Sequence, residues 1–148
     1  MPISPADELE IMELAARYNW AIDHRQAEEW ADVFTEDGRF EAYGQTRAEG
    51  RAQLVAYIRK AAAAGHKSRH WISNAIIEEG NAGDTARLRL YVMALDISEG
   101  IRPYIMGDYD DALVKVNGRW KFKRRSVNLC AGKSWTQGAL AKPAEAQK

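Results

Sequence analysis

The residue period changes once along this chain, and that change limits the fold more than any other feature. From Ser68 onward four stretches are rich in β-branched, aromatic or alternating residues: Ser68 to Glu78, Thr85 to Ile97, Arg102 to Val116 and Arg119 to Cys130. They are separated by "EEGNAGD", by "SEG" and by Asn117-Gly118, and an Asn-Gly pair between two strand-like runs is a strong hairpin signal. Such a succession is an antiparallel meander. Each strand would be longer than the usual length of about five or six residues, and long strands in a small sheet twist and curl.

Before Ser68 the pattern is helical. Ser4 or Asp7 can cap a first helix that runs to about Asp23, with Pro5 tolerated in the first turn and Glu8 and Glu10 placed at the positive end of its dipole. Gln26 to Phe34 predicts a short second helix, and Asp37-Gly38 a turn before the strand-like "RFEAY". A loop with Gly44 and Gly50 follows. Arg51 to Gly65 predicts a third helix, with Leu54, Val55 and Ile58 as its apolar stripe and Gly65 at its C-terminal cap. The class is α+β: three N-terminal helices packed on a strongly curved, mainly antiparallel sheet, forming a conical α+β barrel whose interior suits a ligand pocket. With 148 residues, one domain is expected over residues 1–130, with 131–148 as a tail in which Trp135 could serve as a lid or intersubunit anchor.

Charge and cysteine usage narrow the function classes. Lysine plus arginine and aspartate plus glutamate each number 21, so no net field draws the protein to nucleic acid or to an anionic membrane. No stretch approaches the roughly 18 apolar residues of a membrane span, and the first residues lack the apolar run of a secretory signal. Cys130 is the single cysteine, which suits a reducing cytoplasm. No metal or cofactor is expected. His66 and His70 are spaced like helix-borne metal ligands, but Gly65 ends the helix before them. Asp108, Asp110 and Asp111 lack the glycine and glutamate of a calcium loop, and alternation splits Asp111 from the other two, which points to a solvated or ion-paired strand edge.

One carboxylate is out of place. Asp23 falls in the last turn of the first helix, where the dipole disfavours a negative charge. On a wheel of about 100° per residue it lies with Met12 and Ala16, with Leu9, Asn19 and Trp20 not far off, so it sits on the apolar face, and Leu14 spoils that pattern. A buried carboxylate needs a partner. In "SRHWISNAII", alternation puts His70, Ile72, Asn74 and Ile76 on one face. A histidine with a carboxylate behind it makes a useful general base, and Asn74 is a further pocket candidate on the same face. In "KFKRRS" strict alternation puts Arg125 outward with Lys121 and Lys123, and Arg124 with Trp120 and Phe122; only a bulge would reverse that.

The segments "RYNWAIDHRQAEEWADVFTEDGRFEAYG", "RHWISNAII" and "GDYDDALVKVNGRWKFKRRSV" resemble the SnoaL-like families of the nuclear-transport-factor-two-like superfamily, which also holds scytalone dehydratase, ketosteroid isomerase and polyketide cyclases. The resemblance spans roughly Pro5 to Asn128. "AIDHRQ" and "RHWISN" are most similar to the segments of hexachlorocyclohexane dehydrochlorinase and scytalone dehydratase that carry an aspartate and histidine dyad. That similarity implies His70 as a base that removes a proton and Asp23 as its orienter. It also implies Tyr18, Trp20, Tyr109 and Arg125 as pocket residues, a small hydrophobic cyclic ligand and a homodimer or homotrimer. Tyr18 stands where the dehydrochlorinase has a lysine.

Two functions follow from this resemblance. One is a cofactor-independent lyase or isomerase that abstracts a proton from a small cyclic or aromatic substrate. The other is a non-catalytic ligand-binding module, or a structural subunit resembling the small subunit of ring-hydroxylating dioxygenases; an interior too small for a bicyclic molecule favours this second function.

Overall fold

The structure, a computed structural model, describes residues 3–132. Helix α1 spans Pro5–Asp23 and α2 Ala27–Asp32; strands β1 (Phe34–Ala42) and β2 (Gln45–Glu49) form a hairpin; α3 spans Arg51–Ala63. The meander follows as β3 (Ser68–Glu79), β4 (Thr85–Asp96), β5 (Arg102–Val116) and β6 (Arg119–Gly132). The three helices pack on one six-stranded sheet of order β2-β1-β6-β5-β4-β3, which is not closed. Every pair is antiparallel except β1 with β6, which run parallel. The first two residues of the expected 131–148 tail belong to β6; Trp135 and the rest of it lie outside the described residues.

Helix α1 starts where the capping chemistry places it. Ser4 Oγ accepts from the Asp7 backbone N–H at 3.1 Å and donates to the Asp7 carboxylate at 2.8 Å. The other oxygen of Asp7 accepts from Lys115 Nζ at 2.5 Å and Trp120 Nε1 at 2.8 Å, so one side chain ties the helix start to β5 and β6. Those donors hold its carboxyl far below the usual carboxylate range. Asp7→Ala is therefore expected to lower the thermal midpoint while leaving far-UV circular dichroism unchanged. An unaltered midpoint would show that the clasp adds nothing.

The buried face of α1 is not the one the wheel indicates. Ile11, Leu14, Ala15, Tyr18, Asn19 and Ile22 are buried, whereas Leu9 is 73 % exposed and Met12 and Ala16 are also exposed. Leu14 belongs to the core it appeared to spoil. A helix laid across a curved sheet buries the stripe that meets the large aromatic side chains, and Tyr18 sits within 6.5 Å, centroid to centroid, of Trp30, Phe34, Phe40, Tyr109 and Phe122.

Three element assignments differ from the expected ones between α2 and α3. Asp37-Gly38 is no turn: β1 runs through it, and its pairing to β6 shifts between Phe34 and Arg39. A Cβ on Gly38 would lie 2.7 Å from Phe34 Cβ, so glycine is required at that kink. The expected loop from Gly44 to Gly50 holds strand β2, too polar to be recognised as a strand. Phe34, placed at the end of the second helix by its pattern, instead opens β1.

Candidate functional site

The end of α1 and the start of β3 meet at Asp23. Its Oδ1 lies 2.6 Å from His70 Nδ1 and accepts from Ser68 Oγ at 3.0 Å, while Oδ2 accepts from the His70 backbone N–H at 2.8 Å. A carboxylate only accepts, so the neutral imidazole carries its proton on Nδ1 and keeps Nε2 as its basic atom. Burial pushes the Asp23 carboxyl up, but the ring and backbone hydrogen bonds of His70 and the Ser68 hydroxyl outweigh it and hold Asp23 below its ordinary value. Arg25, at φ 58°, donates to the carbonyl of Ile22 at 2.7 Å and of His66 at 2.5 Å, and lies 3.4 Å from Ser68 Oγ. The turn after α1 is thereby laced to the residues just before His70.

His70 is on the wall of a small cavity of about 40 Å³. Tyr18, Tyr43, Tyr57, Tyr104 and Tyr109 line it too, five of the six tyrosines in the chain. Burial raises the phenols of Tyr18, Tyr57, Tyr104 and Tyr109 above their ordinary range, so these hydroxyls remain neutral donors. The arrangement suits proton abstraction by a neutral imidazole, with phenols available to an oxygen that gains charge. The volume suits a few waters, far below the few hundred Å³ of a usual ligand pocket.

The remaining sequence candidates divide. Tyr18 and Tyr109 are cavity residues. Trp20 is not: it is 66 % exposed, stacks on His24 at 4.4 Å, and borders an open cleft between α1, α2 and β6. Asn74 is not either. The β3 register shifts between Ser73 and Ile76, Asn74 takes φ 56°, and it is exposed with Ile76 on the outer face while Ile77 turns to the core. His24, at the C-terminal cap of α1, is an exposed residue beside the site.

Arg125 reverses the strict alternation. Against Ala112 and Leu113 of β5, β6 pairs Arg124 and Phe122, which leaves Lys123 as the extra residue of a bulge and turns Arg125 inward. Arg125 is fully buried, with its guanidinium 3.9 Å from the Tyr109 ring centroid and 4.2 Å from those of Tyr18 and Phe122. It sits behind the phenols rather than on the cavity wall, and Asp111, also fully buried, receives it through both oxygens at 3.0 and 2.6 Å. Burial alone would lower the Arg125 pKa, but Asp111 outweighs it and keeps the guanidinium charged. Asp111 is thus no solvated edge; Asp110, its neighbour, is, and pairs with Arg87 at 2.7 Å. Among the described residues no group of three histidine, cysteine or carboxylate side chains could hold a metal ion, and no helix is long and apolar enough to cross a membrane.

The sequence argument missed Tyr43, Tyr57, Tyr104 and Asp111. No local motif marks them; the concentration of tyrosine around one cavity is visible only once the sheet is assembled.

Residues 4–126 match the family described as the SnoaL-like domain. Among solved structures, the chain is similar to a Nostoc punctiforme protein of unknown function with a cystatin-like fold (30 % identity, 87 % of this chain and 95 % of that one, TM-score 0.77). It is similar also to a Mycobacterium tuberculosis protein of unknown function, solved as an aspartate-to-asparagine variant (31 %, 95 % and 84 %, TM-score 0.76). A third is a candidate scytalone dehydratase from Novosphingobium aromaticivorans (26 %, 86 % and 87 %, TM-score 0.74). No curated protein matches significantly.

Proposed function

The chain belongs to the SnoaL-like domain family, and from that premise we propose that it is a cofactor-independent lyase or isomerase acting through His70 and Asp23. His70 Nε2 removes a proton from carbon in a small cyclic or aromatic substrate, Asp23 supports the imidazolium that forms, and a leaving group departs or a double bond moves. Tyr18 and Tyr109 donate to the oxygen that becomes an oxyanion. The observation that carries this reading is the 2.6 Å contact from a buried carboxylate to a histidine on a phenol-lined cavity wall. The likeness to the candidate scytalone dehydratase supports it.

The second function keeps one observation in its favour. A cavity of about 40 Å³ admits no ring as it stands, which is what a binding module for something smaller, or a structural subunit with a filled interior, would have. The two separate in a deuterium-exchange screen over cyclic ketones, phenols and halogenated rings across pH, with His70→Ala as control. Exchange or turnover that disappears in the variant is expected. Silence across all three classes would hand the case to the non-catalytic reading. This proposal also takes the protein to be a cytoplasmic homodimer or homotrimer that binds no nucleic acid and joins through the outer sheet face around Trp71 and Tyr91, 64 % and 54 % exposed. Sedimentation of the native protein tests the assembly.

A further inference from the structure

Two hairpins in this fold close with two-residue turns in which both central residues have positive φ: Asn117 (50°) and Gly118 (78°) between β5 and β6, and Tyr43 (58°) and Gly44 (73°) between β1 and β2. Such turns match the right-handed twist of the strands, and Asn-Gly is the pair that adopts them at least cost. Tyr43 therefore stands where the same backbone elsewhere in the chain uses asparagine. A bulky aromatic side chain with left-handed φ is strained, and persists only where its surroundings over-determine it.

The surroundings of Tyr43 point to the His70 cavity. Its backbone N–H donates to the Val127 carbonyl at 3.1 Å, its ring packs against the core and lines the cavity, and the Arg47 guanidinium lies 5.8 Å from the ring centroid. Of the cavity residues, Tyr43, Tyr57, His70 and Tyr104 are the least completely buried, so these four form the rim between cavity and solvent. Three of them are fixed in regular elements. Tyr57 is on α3, stacked on Trp30 at 5.9 Å; His70 is held by Asp23; Tyr104 is on β5 with its ring against His66 at 5.1 Å. Tyr43 alone of the four is carried by a turn.

Resting on the reading of the His70 cavity as the ligand site, we propose that Tyr43 is its specificity-determining residue: the ring plugs the rim and sets the size of molecule that reaches His70. In the structure the plug is in, which accounts for an interior of about 40 Å³ beside a dyad built for chemistry on carbon. A ligand with one or more rings enters by displacing this side chain rather than a helix or a strand.

The test compares wild type with Tyr43→Asn, which keeps a turn-compatible residue, and Tyr43→Gly. Phenol and 2-naphthol serve as probes, with dissociation constants and His70 ring shifts read by NMR and the thermal midpoint recorded for each protein. The expected result is 2-naphthol binding at His70 tightened by about tenfold or more in both variants, phenol binding changed much less, and a midpoint for Tyr43→Asn no lower than wild type. Equal 2-naphthol affinity in all three proteins, or none in the variants, overturns the proposal, and a clearly lowered Tyr43→Asn midpoint removes the strain on which it is built. Binding at His70 without exchange on any substrate class would sink the catalytic reading and leave Tyr43 in its role. Exchange with unchanged size selection in the variants would do the reverse.

Discussion

Asp23→Asn is expected to lower His70-dependent exchange by about 10²- to 10⁴-fold, the range a positioned general base contributes. The carboxamide keeps one oxygen for the His70 backbone N–H, but loses the second acceptor and the charge that supports an imidazolium. Its amide group can also donate to Nδ1, which would put the ring proton on Nε2, the atom that must be basic. The loss should therefore fall on kcat rather than on KM, and the His70 tautomer, read from ring nitrogen shifts, should change with it. Stability offers a second readout. Because folding lowers the Asp23 pKa from its ordinary value of 3.8, its contribution is full above that value and fades as pH falls through the lower folded value. The stability gap between wild type and Asp23→Asn should accordingly narrow below about pH 4. A gap that failed to narrow there would contradict the lowered carboxyl pKa.

Arg125→Met is expected to destabilise the fold by about 3–5 kcal/mol, since it leaves the fully buried Asp111 carboxyl, which burial already pushes above its ordinary value, without its hydrogen-bonded partner. The double replacement Arg125→Met with Asp111→Leu should recover most of that loss, because an apolar pair also escapes the desolvation cost. Urea unfolding of the two single variants and the double one measures both statements. A single-variant loss near the ~1 kcal/mol of an exposed pair would mean that solvent reaches the guanidinium. The same set separates scaffold from chemistry. If the double variant folds and still exchanges protons, the pair serves to seat Tyr18 and Tyr109. If it folds and does not, the cation behind those rings contributes to their strength as donors.

What could be foretold from the sequence follows the physics of each signal. The meander was legible because Asn117-Gly118 and the alternating runs of β4 and β5 act locally, and all four strand boundaries agree within two residues. The bulges were not. Alternation presumes a regular ladder, so one extra residue at Lys123, and another irregularity beside Asn74, each sent a predicted side chain to the wrong face. The α1 wheel failed differently: Met12, Ala16 and Leu9 are apolar but not bulky aromatic, and the sheet selected the stripe bearing Tyr18. Strand β2 and its turn stayed hidden because "QTRAE" is polar and tyrosine is no turn residue. The pairing of Asp23 with His70 rests on the resemblance of their segments to dyad-bearing ones, because the wheel grouped Asp23 with a stripe that is exposed. The rim tyrosines belong to three separate elements and share a location only in the assembled sheet.

The one parallel pairing in the sheet bears on how the chain reaches this state. β1 finds its neighbour in β6, so Phe40 lies beside Arg125 across a gap of 85 positions, and the helices that cover β1 have no continuous floor until that strand is in place. Contacts between residues so distant in sequence are slow to form, because the closure entropy precedes the reward. During synthesis α1, α2 and the first hairpin would be exposed to solvent with their aromatic residues uncovered while the meander is still being made. Folding should thus begin with β4, β5 and β6 and finish with the N-terminal half closing onto them, leaving the dyad, which bridges α1 and β3, among the last features to form.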